Sequence, residues 1–187
     1  MDPYEGPSEG MRQGPLSVLV AWALSVHVFR RNRVPVVEKV MAAALCNSGY
    51  SYRSVSKMLG GLSYIAARDS YFSLVTSLPR EEQRVRKEVA IDGSDVRIGG
   101  SSYHLWLARD HDSGEIMTFQ ASPDASAQDG NRFLAAVASQ CANRPTLKLG
   151  EGSNYPRGLV NLDLYFQPPQ TASIMTRLGH FILGGSA

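Results

Sequence analysis

The sequence predicts an α/β protein in which a mixed β-sheet with flanking helices follows an all-α unit. Residues 88–121 read as three short strands, because β-branched and aromatic residues alternate with Gly- and Asp-containing turns. An amphipathic helix and a further strand come next, which is the order that a mixed sheet needs. Residues 35–78 instead carry apolar residues at helical spacing. Hydrophobic residues make up 43% of the chain and charged residues 19%, a composition that excludes a disordered protein.

Residues 1–34 are expected to form a disordered tail followed by an apolar helix. Residues 1–14 are rich in Gly and Pro and have little to bury. The apolar run 15–29 comes next and is shorter than the roughly 20 residues that a membrane-spanning helix needs. Only Arg12 precedes the run, whereas a secretory signal needs basic residues there. A helix packed on the rest of the fold is therefore favoured, and membrane association through residues 15–29 is the alternative.

Residues 35–80 predict three helices with short connections. The first helix begins after Pro35, the second covers 52–59, and the third runs from Tyr64 to about Ser77. Gly60-Gly61 forms a tight turn, and this order of elements is typical of a helix-turn-helix. A plain three-helix packing unit is the alternative. The charged segment 79–87 is expected to be a solvated linker. The apolar residues expected to be buried by the third helix are Ile65, Phe72 and Val75.

The strands are expected at 89–92, 103–110 and 115–121, where they form an antiparallel meander. The first strand is expected to end on the carboxylate of Asp92. A fourth strand at 146–149 should pair parallel to the first, since the helix predicted for residues 128–141 supplies the crossover.

Four short motifs in this region together resemble one enzyme family. They are Ile91-Asp92-Gly93-Ser94, Tyr103–Trp106, Asp110 and Ser113–Ile116. In this order they resemble the opening of the RNase H-like catalytic domain of DDE-type insertion-sequence transposases. The resemblance implies that residues 88–187 are an RNase H-like domain, truncated at its C-terminus. The segment 49–56 resembles the DNA-end-binding helix-turn-helix of the same transposases, which implies that residues 35–80 are that unit.

Such transposases cut and join phosphodiester bonds with two Mg²⁺ ions held by three carboxylates, and the resemblance implies the same site here. Asp92 matches the first position as a catalytic residue and metal ligand. Gly150 stands at the second position, and Glu151 is a catalytic candidate only with an offset of one residue. No acidic residue follows Asp163 to supply the third ligand. We therefore expect a degenerate copy that binds DNA without cutting it.

The resemblance also implies that Arg53, Lys57, Tyr64, Arg68 and Ser70 contact DNA. The expected partners are double-stranded DNA carrying terminal inverted repeats and a second copy in a homodimer, and a membrane partner is not expected. The formal net charge of +2 does not by itself indicate a nucleic-acid binder. The 2 cysteines form no disulfide framework and suit the cytoplasm. Two alternatives remain at this stage: a non-catalytic DNA-binding protein derived from a transposase, and a non-functional relic.

Overall fold

The computed structural model describes residues 14–29, 33–79 and 82–150, and the backbone of 165–167. Residues 1–13 of the predicted tail and the candidate Glu151 lie outside the described residues. The helices are α1 (Pro15–Ser25), α2 (Val36–Asn47), α3 (Tyr52–Leu59), α4 (Tyr64–Ser77) and α5 (Ala127–Ser139). The strands are β1 (Glu88–Ile98), β2 (Ser101–Asp110), β3 (Ile116–Ser122), β4 (Thr146–Leu149) and β5 (Tyr165–Gln167).

The strands form one mixed sheet in the order β3-β2-β1-β4-β5. β2 is antiparallel to both of its neighbours, whereas β4 runs parallel to β1 and β5 parallel to β4. The predicted meander and the predicted place of the fourth strand are thereby confirmed. α5 packs on one face of the sheet through Phe133, Leu134 and Val137, and Trp106 lies in the same core. The α5 face was predicted correctly because its apolar residues recur at helical spacing.

β1 is longer than predicted and does not end at Asp92. It continues to Ile98, where Gly99 and Gly100 turn the chain into β2 with φ angles of 58° and 83°. Two successive positive φ values suit a two-residue hairpin whose twist matches that of the strands. Residues 93–95 are Gly, Ser and Asp, which are common in turns. The prediction therefore ended the strand too early. Asp92 therefore lies within a strand and not at its end.

The N-terminal helices pack on the opposite face of the sheet and share one core with it. Leu19 of α1 and Met41 of α2 belong to the same buried cluster as Leu107 of β2. The buried hydroxyl of Ser48 accepts a hydrogen bond from the backbone N–H of Ala121 at 2.9 Å. The helical and sheet segments, predicted as separate units, are therefore joined through a common interior.

Residues 15–25 of the apolar run form α1, in agreement with the favoured prediction of a helix packed on the rest of the fold. This helix buries Pro15, Leu19 and Ala23 against the rest of the fold. Within the three described stretches, we find no helix with both the length and the apolarity needed to cross a bilayer.

α4 presents a different face to the core from the one predicted. Its buried residues are Ala67, Ser70 and Leu74, whereas Ile65 and Phe72 are 52% and 49% exposed. Small side chains let α4 approach α2 closely, so the prediction was wrong in choosing the largest apolar residues as the inner face. Ser70 was also expected to face DNA, but it is buried and its hydroxyl donates to the carbonyl of Ala66 at 2.6 Å.

The charged segment before β1 is exposed at residues 82–85 and 87, as expected for a solvated linker, but Arg86 is buried. Arg86 is 6% exposed and donates from Nη1 to Oδ2 of Asp110 at 2.7 Å. Its backbone exchanges two hydrogen bonds with the side-chain amide of Asn143, at 2.8 and 2.7 Å. The backbone of Arg84 pairs with the residues that follow α5. The prediction was wrong for Arg86 because it counted charges along the sequence and could not see their partners.

Candidate functional site

Asp92 lies where β1 passes the end of β4. The ladder between the two strands runs from Glu88 opposite Thr146 to Ile91 opposite Leu149. One residue further on, the backbone N–H of Gly150 donates to the carbonyl of Ile91 at 2.8 Å. The fold therefore places Asp92 beside Gly150, although the two residues are far apart in sequence.

The backbone of Gly150 is packed against the carboxylate of Asp92. A Cβ atom at position 150 would collide with Oδ1 of Asp92 and would lie 3.4 Å from the carbonyl oxygen of Ile91. The φ angle of Gly150 is not in the left-handed region, so the restriction is one of space and not of backbone conformation. A side chain at position 150 has no room while Asp92 keeps this orientation.

The other oxygen of Asp92 accepts a hydrogen bond from Arg109. Nη2 of Arg109 lies 2.9 Å from Oδ2 of Asp92, and the two side chains are 34% and 30% exposed. Arg109 lies opposite Ala90 on β2, so it is the diagonal neighbour of Asp92 on the same face of the sheet. Sequence reasoning missed this pair because it depends on the β1–β2 register. The position of the Gly99-Gly100 hairpin could have supplied that register.

The described residues do not fit a pair of Mg²⁺ ions. Among the residues at 14–29, 33–79 and 82–150, no three His, Cys, Asp or Glu side chains converge to hold a metal. Glu88 instead pairs with Nζ of Lys148 at 2.5 Å and with Nε2 of His111 at 3.4 Å. The hydrogen bond from Lys148 keeps the pKa of Glu88 below its ordinary value. Asp92 therefore has a basic partner and belongs to no group of three ligand residues in this part of the chain.

The residues predicted to contact DNA lie on an exposed surface of α3 and α4, apart from Ser70. The basic–aromatic surface is defined here as Arg53, Lys57, Tyr64, Arg68 and Phe72, all of them exposed. The guanidinium carbon of Arg53 lies 5.8 Å from the ring centroid of Tyr64. That of Arg68 lies 5.7 Å from the ring centroid of Phe72. The structure thus brings two predicted residues into one contact and adds Phe72, which was predicted to be buried.

Two other aromatic side chains pack against the ring of Phe72. Tyr71 meets it edge-on with centroids 5.5 Å apart, and Tyr52 lies 6.5 Å from it. The two tyrosines are themselves 6.2 Å apart. Such edge and tilted contacts are the preferred geometries of aromatic pairs. The position of Phe72 is therefore fixed although half of its surface is open to solvent.

The basic–aromatic surface is positive although the chain is nearly neutral overall. The sequence of α3 contains no Asp or Glu, and Asp69 is the one acidic residue of α4. Gly60 ends α3 in the left-handed conformation, with φ 71°, and Ser63 caps α4 by accepting from the backbone N–H of Ala66. These two termini set the angle at which the helices meet.

Comparison with known proteins gives one sequence relative and one distant structural similarity to report. No family model matches the sequence. Uncharacterized protein MJ0017 of Methanocaldococcus jannaschii is 28% identical to this chain over 143 residues, which cover 75% of this chain and 67% of that protein.

The structural similarity is to a chain in the cryoEM structure of the simian T-cell lymphotropic virus intasome in complex with PP2A regulatory subunit B56 gamma. The TM-score is 0.36 with 14% identity, over 76% of this chain and 56% of the other. This chain therefore spans little more than half the length of that one. At this TM-score, the similarity supports neither a fold nor a function.

Proposed function

We propose that this chain is a protein of the DDE transposase family that binds double-stranded DNA and does not itself cut or join it. The observation that carries the proposal is the place of Asp92 on β1, beside the end of β4 and paired with Arg109. The strand order β3-β2-β1-β4-β5, with a helix between β3 and β4, supports the RNase H-like form of the fold. The places of β1 to β4 in this order are those expected from the resemblance of residues 88–121 to the catalytic domain of these transposases.

DNA binding is supported by the basic–aromatic surface. Arg53 and Lys57 lie one turn apart on α3, and Arg68 lies on the exposed side of α4. Two exposed helices joined by a glycine turn are typical of a helix-turn-helix, whose second helix enters the major groove. A unit that served packing alone would have no use for three exposed cations beside two half-exposed aromatic rings.

Loss of catalysis is supported by the surroundings of Asp92. Two divalent ions repel each other strongly at the separation that phosphodiester transfer requires, so several carboxylates must hold them. Oδ2 of Asp92 already accepts from Arg109, and Gly150 has no side chain to offer.

The binding proposal is tested by fluorescence anisotropy with labelled duplexes from the DNA that flanks the gene. We expect affinity to fall steeply with salt, because cations that neutralise phosphates release counterions. Replacing one phosphate-contacting cation, as in Arg68→Ala, should reduce the slope of log K against log salt by about 0.9. Arg97→Ala is the matched control, since Arg97 is an exposed arginine on β1. Absence of binding at low salt, or an equal loss in both variants, contradicts the proposal.

The proposed absence of DNA cleavage and joining is tested by nicking and strand-transfer assays on the same duplexes with Mg²⁺ and with Mn²⁺. We expect no product, since each lost ligand removes several kcal/mol of transition-state stabilisation, at roughly 1.4 kcal/mol per tenfold in rate. Cleavage that disappears in Asp92→Asn would show that Asp92 works with carboxylates from Glu151 or from another chain.

A further inference from the structure

The basic–aromatic surface exposes more aromatic area than a phosphate-binding surface needs. Tyr64 and Phe72 are each 49% exposed, although the chain has a core in which such rings could be buried. We propose that this surface stacks the unpaired bases of a DNA end, so that the protein prefers a junction between duplex and single strand. This inference rests on the proposed DNA binding and adds the form of DNA that is bound.

The chemistry of the two DNA forms distinguishes them. A duplex presents phosphates and the edges of base pairs, because the faces of its bases are stacked on one another. Phosphates attract Arg53 and Arg68 but leave the rings of Tyr64 and Phe72 exposed to water. An unpaired base has a free face that can cover an aromatic ring or a guanidinium plane. Only unpaired nucleotides therefore satisfy both the cations and the rings.

The spacing of the side chains suits two nucleotides of one strand that are not adjacent to each other. Tyr64, Arg68 and Phe72 follow at intervals of one turn along α4, so the two rings are separated by about 12 Å along the helix axis. Each ring has a guanidinium within 6 Å, at 5.8 Å for Tyr64 and 5.7 Å for Phe72. The contacts of Tyr71 and Tyr52 hold Phe72 in place before any ligand arrives. The surface is thus preorganised, which reduces the entropy lost on binding.

Charge argues against a second copy of the chain as the occupant. A two-fold contact places the same surface on both partners. It would set Arg53, Lys57 and Arg68 against the same three cations, with Asp69 as the nearby acidic residue of α4. Like charges in a contact oppose association. A polyanion with free aromatic faces is complementary to this surface in both respects.

The test measures how much a single-stranded overhang increases the affinity of the protein for DNA. Anisotropy titrations compare three DNAs that share one duplex: a blunt form, one with a short 3′ overhang and one with a short 5′ overhang. We expect at least one overhang to tighten binding about tenfold or more. In Tyr64→Leu and in Phe72→Leu, the overhanging DNAs and the blunt duplex should bind with equal affinity, whatever the change in the affinity for the duplex itself. Ile65→Leu is the control, since Ile65 is an exposed apolar residue of the same helix without a π face.

The outcomes separate this inference from the proposed function. Equal affinity for blunt and overhanging DNA overturns the inference and leaves duplex binding intact. An equal loss for all three DNAs in Phe72→Leu, in a variant with unchanged thermal unfolding, overturns it as well. A lower molar mass of free Phe72→Leu in light scattering would identify the surface as a contact between copies. Failure of all three DNAs to bind the native chain overturns the proposed function and the inference together.

Discussion

Replacing Gly150 by Ala tests whether the carboxylate of Asp92 is held in place by close packing. The new Cβ would collide with Oδ1 of Asp92 and would lie 3.4 Å from the carbonyl oxygen of Ile91. The carboxylate can rotate away only by giving up its contact with Arg109, which lies 2.9 Å from Oδ2. The substitution thus acts on the feature that defines the candidate site.

The expected magnitude follows from three opposing contributions. An added methyl group in a tightly packed position costs about 1–3 kcal/mol. Loss of a partly exposed ion pair adds about 0.2–1 kcal/mol. Against these, Gly→Ala restricts the unfolded chain and stabilises by about 0.4–1 kcal/mol where the backbone permits it. We expect Gly150→Ala to lower the free energy of unfolding by about 1–2 kcal/mol.

The assay is urea unfolding followed by circular dichroism, with free energies from linear extrapolation. Asp92→Ala removes the carboxylate that the new methyl group would meet. In the Asp92→Ala variant, Gly150→Ala should no longer lower the free energy of unfolding. The double-mutant cycle should therefore give a coupling free energy of about 1–2 kcal/mol. Gly61→Ala is the matched control, because a Cβ there makes an ordinary 3.7 Å contact with Glu38. Additive effects of the two substitutions, or a neutral Gly150→Ala, would refute the reasoning.

Four further predictions concern stability. Arg86→Met should lower the free energy of unfolding by about 3–5 kcal/mol, because it strands the buried carboxylate of Asp110, and urea unfolding checks it. Burial raises the pKa of Asp110, but hydrogen bonds from the following turn and from Arg86 outweigh it and hold the pKa below its ordinary value. The stabilisation is therefore present above about pH 4 and lost as pH falls, so Asp110→Asn should flatten the unfolding free energy below that pH. Ser48→Ala should cost about 1–3 kcal/mol by leaving the buried N–H of Ala121 unpaired, and Ser126→Ala about 1 kcal/mol by removing the cap of α5; thermal unfolding measures both.

The sequence was sufficient to predict the helices and the first four strands in their order, because the signals for these are local, whereas β5 was not predicted. Helical spacing located α3, α4 and α5 within a residue or two. The resemblance of the first strand to the family motif led to the expected pairing of β4 with β1. The side chain of Glu151 lies outside the described residues, so its role stays a prediction.

What the sequence did not predict depends on contacts between distant segments. The pairing of Arg109 with Asp92 requires the β1–β2 register, which a prediction that ended β1 at Asp92 could not give. The inner face of α4 depends on how closely α2 approaches, and that distance is set by small residues on both helices. The burial of Arg86 depends on its ion pair with Asp110, which is 24 positions away in the sequence.

The interior shared by the N-terminal helices and the sheet has a consequence for how such a protein can evolve. In general, a DNA-binding unit that is joined to its neighbour only by a flexible linker can be exchanged as a whole between related proteins. In this protein, Met41 and Leu107 belong to one buried cluster. The segment between α4 and β1 is held against the sheet by the ion pair of Arg86 with Asp110. Exchange of residues 35–79 alone would leave one face of the sheet uncovered. The two halves must therefore be inherited together, and the outer surface of α3 and α4 can change only by substitution of its own residues.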